Sequence, residues 1–95
     1  MARRIIEQRL SDELKDSEFA FLGTNPIHLI QIYERVKNRF PDLCDDEYLC
    51  STHCKSGNNL PEWKHVVRGD MQFLKRRGLA QRTGNVREWI FHPLV

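Results

Sequence analysis

The chain has 95 residues, 40% of them hydrophobic and 29% charged, which is enough for one domain with a modest core and too short for most enzyme folds built around a deep cleft. No apolar run reaches the roughly 18 residues of a membrane span, and Met1-Ala2-Arg3-Arg4 leads into a charged helix rather than a signal-peptide core, so a soluble, cytoplasmic protein is expected, nucleoid-associated if bacterial. The net charge of +2 is unevenly spread: residues 1–60 carry 8 Lys/Arg against 10 Asp/Glu, whereas residues 61–95 carry 7 against 3. A basic C-terminal third favours an anionic partner, although most charge runs are solvated surface.

Ile5, Ile6, Leu10 and Leu14 recur at helical spacing among strong helix formers, so an amphipathic helix of about three turns is expected. Its apolar stripe either caps the domain or mediates a homodimer. Gly23-Thr24-Asn25-Pro26 then breaks the chain, dividing it into residues 1–24, an N-terminal helix and linker, and a second unit of residues 25–95. Thr24 or Asn25 can cap a helix from about Pro26 to Arg39, whose buried face would comprise Ile27, Leu29, Ile30, Tyr33, Val36 and Phe40. Pro41 closes that helix. The acidic stretch of Asp42, Asp45, Asp46 and Glu47, running into Tyr48 and Leu49, reads as one short helix, and Ser56-Gly57-Asn58-Asn59 as a loop.

Pro61 opens the third long helix, which ends at Lys75-Arg76-Arg77-Gly78, cations at the negative terminus followed by a left-handed cap. Trp63, Val67, Met71 and Leu74, widened by Val66 and Phe73, form its core stripe; Lys64, Arg68, Gln72 and Lys75, flanked by His65 and Arg76, form the opposite face. Asp70 interrupts the positive field and is expected to pair with Arg68, Lys75 or Arg77. Residues 79–82 and 87–92 are strand-like runs joined by Thr83-Gly84-Asn85-Val86, with Trp89 and Phe91 alternating onto one side, so a terminal β-hairpin follows.

Helix, short helix, long helix and hairpin is the order of a winged helix-turn-helix. The expected class is therefore α+β and mainly helical: three helices plus a C-terminal β-hairpin, with an extra N-terminal helix. In that arrangement the third helix presents its polar face to the DNA major groove and the hairpin reaches along the backbone. The residue types suit the task. Lys64, Arg68, Lys75 and Arg76 can donate to phosphates or guanine, Gln72 can pair bidentately with adenine, His65 flanks them, and Arg82, Asn85 and Arg87 stand near the wing tip.

The run Pro61-Glu62-Trp63-Lys64-His65-Val66-Val67-Arg68, followed by Leu74-Lys75-Arg76-Arg77-Gly78-Leu79 and Trp89, resembles the winged-helix domains fused to Mrr-type (methylated-DNA) restriction endonucleases. The resemblance spans residues 26–91 and implies duplex DNA recognition by a module serving a separate nuclease domain or subunit. Gly69-Asp70 departs from the small apolar residues expected after the arginine.

Two patterns look chemical. Cys44, Cys50, His53 and Cys54 offer four zinc-type ligands within eleven residues, but only Cys50 and Cys54 have clamp-like spacing, and the odd cysteine count argues for reduced thiols; zinc is an alternative to a protein with no cofactor. Pro41-Asp42 with Glu62-Trp63-Lys64 spells a nuclease pattern, yet that chemistry needs the carboxylates converging from adjoining strands, and Glu62 and Lys64 open a helix. No enzyme activity is therefore expected. The sequence points to a double-stranded DNA-binding module of a restriction or regulatory system; the alternative is a winged helix that docks another protein.

Overall fold

A computed structural model of the chain describes residues 2–49 and 60–94, with only the backbone of residues 2–5 and 7. The fold is α+β and mainly helical. In chain order it comprises α1 (Ala2–Ser17), β1 (Ile27–His28), α2 (Leu29–Arg39), α3 (Glu62–Arg76), β2 (Ala80–Arg82) and β3 (Glu88–Phe91), with 3-10 turns at Ala20–Leu22 and Pro41–Leu43. Among the described residues no helix is long and apolar enough to cross a membrane.

One core takes side chains from both sides of residue 24. Leu10 and Leu14 of α1, Ile32 and Val36 of α2, Val67, Met71 and Leu74 of α3, and Phe91 of β3 are fully or almost fully buried together. The N-terminal helix is thus no extra element: it packs on α3, and Leu10 and Leu14, the stripe suited to a second copy, are covered within the chain. Phe19, which follows α1, stacks on Phe91 with ring centroids 5.0 Å apart, locking the α1 exit to the sheet.

The hairpin forms as its turn residues predict, but it belongs to a three-stranded antiparallel sheet of order β1-β3-β2. Ile27 pairs with Trp89 and His28 with Glu88, so residues 27–28 are extended and α2 starts three residues later than Pro26 would suggest. Neither Thr24 nor Asn25 caps it. The cap is His28, whose Nδ1 accepts from the Ile30 N–H at 3.1 Å while the Gln31 side chain accepts from the His28 N–H at 3.2 Å, a reciprocal capping box. With that start, Ile32 and Val36 point inward and Ile30 is 56% exposed, the reverse of the burial expected for Ile30.

The acidic stretch after α2 is not a helix. After the 3-10 turn, Asp46 accepts from the Trp63 indole N–H at 2.8 Å and pairs with Lys37, and the Tyr48 carbonyl accepts from the Glu62 N–H at 2.8 Å. These groups fasten α3 to α2, so the segment's polar groups are satisfied across the fold rather than along a helix. The described residues therefore hold three α-helices where four were expected. At its other end α3 closes in a Schellman motif: Gly78, at φ +77°, donates to the Lys75 carbonyl at 3.1 Å and Leu79 to the Leu74 carbonyl at 2.9 Å.

Candidate nucleic-acid interface

The core stripe of α3 decides what faces out. Burying Trp63, Val67, Met71 and Leu74 turns Arg68, Lys75 and Arg76 to solvent and leaves Lys64, His65 and Gln72 half-buried. The hairpin then folds back beside α3, so that the two elements and the start of α2 enclose an open groove of about 820 Å³. Arg68 and Gln72 line it from α3, and Arg82, Asn85 and Arg87 line it from the hairpin. Five of the nine residues expected to touch DNA are thereby brought to one concavity. Lys64 lies at its edge, its ammonium 5.1 Å from the centre of the Tyr33 ring, which lines the groove, and 5.6 Å from that of Trp63. His65, Lys75 and Arg76 stay on α3 and do not line the groove.

The third wall was not anticipated. Leu29 and Tyr33, one helical turn apart on α2, complete the groove over an apolar floor that includes Met71 and Trp89. Tyr33 was legible only as a member of an apolar face, because its position opposite α3 depends on where α2 begins. Burial raises the Tyr33 hydroxyl above its ordinary pKa, while Arg68 and Arg87 both pull it down. Guanidiniums from two separate elements, α3 and the hairpin, thus act on one phenol that lines the same groove.

The hairpin tip is internally braced. Glu88 accepts from the Thr83 hydroxyl at 2.6 Å and from the Asn85 amide at 2.9 Å, and these donors hold its carboxyl below the usual range. Asn85 therefore builds the tip first, and one of its amide donors is already committed. The Arg82 guanidinium lies 5.5 Å from the centre of the Trp89 ring. Arg87 is anchored through its backbone, its carbonyl accepting from the Leu29 N–H at 2.8 Å. Among the described residues, no carboxylate lies within ion-pair distance of Arg68, Arg82 or Arg87. Three uncompensated cations in one concavity favour an anion there.

Asp70 does not moderate this field, because it points the other way. It is 5% exposed and accepts from the Ser11 hydroxyl of α1 at 3.0 Å, with the Lys15 ammonium 3.9 Å away, so the expected pairing with Arg68, Lys75 or Arg77 does not form. Its second oxygen has no partner among the described residues, and burial pushes its carboxyl up to about 6.

Of the zinc-type residues, Cys44 sits 5% exposed in the core, where burial pushes its thiol up to about 11. Cys50, His53 and Cys54 lie outside the described residues. Asp42 is exposed in the 3-10 turn while Glu62 and Lys64 start α3, and among the described residues no three His, Cys, Asp or Glu side chains gather as a metal site. No family model, curated protein or solved structure matches the chain.

Proposed function

We propose that the chain is a winged-helix module that binds double-stranded DNA through the outer face of α3 and the β2–β3 hairpin. The order helix, strand, helix, helix, hairpin, with the first short strand added to the hairpin's sheet, is compatible with that fold. The observation that carries the functional reading is the convergence of Arg68, Arg82 and Arg87, without carboxylate partners among the described residues, on a groove flanked by Gln72. Guanidiniums donate to phosphate oxygens and Gln72 offers an amide to a base edge. The module is a recognition component of a restriction or regulatory system, and chemistry on the DNA comes from a separate domain or subunit.

Binding of a labelled random-sequence duplex, followed by fluorescence anisotropy across a salt series, tests this. Log K should fall linearly with log salt, with a slope of about −0.9 per phosphate neutralised, and Lys64→Ala with Arg68→Ala should flatten it by roughly 2. Absence of duplex binding at about 50 mM salt, or an unchanged slope in the double variant, overturns the reading. One observation favours a second reading, an acidic protein segment with an apolar anchor: Leu29, Met71 and Trp89 line the groove, and Val86 at the tip is 82% exposed. A protein partner would leave the duplex unbound at every salt concentration.

A further inference from the structure

Two surface residues are chosen against the preference of their own backbone. Gly69 lies inside α3, exposed, with ordinary helical geometry and nothing within 4 Å of where a β-carbon would stand. Alanine would fit there and would suit the helix better. Arg87 shows the converse. It adopts φ +57°, in the left-handed region where glycine or asparagine is at ease and a longer side chain is strained.

The Arg87 carbonyl accepts from the Leu29 N–H, which uses the backbone conformation but does not call for an arginine side chain, and comparison with the other left-handed residues sharpens the point. Among the described residues, three other than glycine have positive φ: Glu18, Phe19 and Arg87. Phe19 gains a fully buried ring stacked on Phe91, and the Glu18 carboxylate accepts from the Leu94 N–H. The Arg87 guanidinium has no hydrogen bond or ion pair among the described residues. It is exposed and lines the groove. Gly69 stands on the outer face of α3, one turn from His65 and Gln72. Both positions thus border the surface assigned to DNA, and both look outward for their reason.

We propose that Gly69 and Arg87 are contact positions for duplex DNA: the bare α3 backbone at Gly69 admits the DNA to a distance that a side chain would block, and Arg87 donates to a backbone phosphate from the hairpin side. The inference rests on the DNA reading of the preceding subsection. It accounts for a glycine where the helix would prefer alanine, and for an arginine held in a conformation its side chain disfavours. Such positions are those at which relieving the local cost to the fold removes function.

The test measures thermal unfolding and duplex affinity on the same preparations of full-length wild type, Gly69→Ala and Arg87→Asn. Gly69→Ala should raise Tm by roughly 3–8 °C through the helix-interior difference between glycine and alanine. Arg87→Asn should match or exceed the wild-type Tm, since asparagine tolerates the left-handed region. Both should weaken duplex binding by about fivefold or more, but differently. Arg87→Asn should flatten the salt slope by about 1, whereas Gly69→Ala, acting by steric exclusion, should leave the slope unchanged. Wild-type binding accompanied by wild-type affinity in both variants overturns the proposal, and a loss confined to one variant overturns it at the other position. Failure of the wild type to bind any duplex instead overturns the DNA reading itself.

Discussion

Replacing Asp70 by Asn should change how the stability of this protein depends on pH, and the structure sets both sign and size. Asp70 is buried at the α1–α3 contact, with one oxygen hydrogen-bonded to Ser11, one without a partner among the described residues, the Lys15 ammonium 3.9 Å away and Asp12 adding a repulsive field. Burial raises its carboxyl from 3.8 to about 6 in the fold. Between those two values the folded protein holds a proton that the unfolded chain has released, so stability from this group is present below about pH 4 and is lost as pH rises through 6. The gap of about two pH units corresponds to about 3 kcal/mol, at 1.36 kcal/mol per unit. Asparagine keeps an oxygen for the Ser11 hydroxyl and cannot ionise. It adds costs of its own, a buried N–H₂ and the lost Lys15 attraction, and only the latter varies with pH because it scales with the fraction of ionised Asp70. Urea unfolding followed by tryptophan fluorescence at pH 4, 5, 6, 7 and 8 yields the difference in unfolding free energy between variant and wild type. That difference should move in favour of Asp70→Asn by about 2–3 kcal/mol from pH 4 to pH 8, with most of the change between pH 4 and 6. Parallel curves for the two proteins would show that Asp70 is solvated like a surface carboxylate, and the argument from burial would be refuted.

Three further outcomes follow from local geometry. Gly78→Ala should destabilise by about 1–2 kcal/mol in thermal or urea unfolding, because residue 78 needs φ +77° to close the α3 terminus, the opposite sign to Gly69→Ala inside the helix. His28→Ala removes the α2 cap and should cost about 1 kcal/mol, with an unchanged urea m-value showing that the fold is retained. In a Cys50→Ser/Cys54→Ser variant the remaining thiol, Cys44, is buried and held protonated, so an aromatic disulfide reagent should label it at the rate of global unfolding; rapid labelling of the native protein would place Cys44 at the surface.

Much of the scaffold was legible in the chain because its signals are local. The Trp63, Val67, Met71 and Leu74 stripe, the glycine after Arg77 and the turn residues before β3 each act over a few positions, and each sits where periodicity and turn chemistry put it. The same stripe already implied which face of α3 turns outward. The tertiary structure decided the rest through contacts between residues far apart in sequence. β1 exists because Ile27 and His28 meet Trp89 and Glu88 about 60 residues on, and that pairing delays α2, makes His28 its cap, turns Ile30 out and sets Tyr33 against Arg68 and Arg87. A two-residue strand has no period to detect. Asp70 looked like any helical carboxylate until α1 packed over it, since burial is a property of neighbours and not of a residue type. By itself, then, the sequence determined which segments carry helix and hairpin and which α3 face is basic, because those depend on spacing and turn residues; only tertiary packing decided that the cations would share one groove, because their distances depend on a sheet closed across the whole chain.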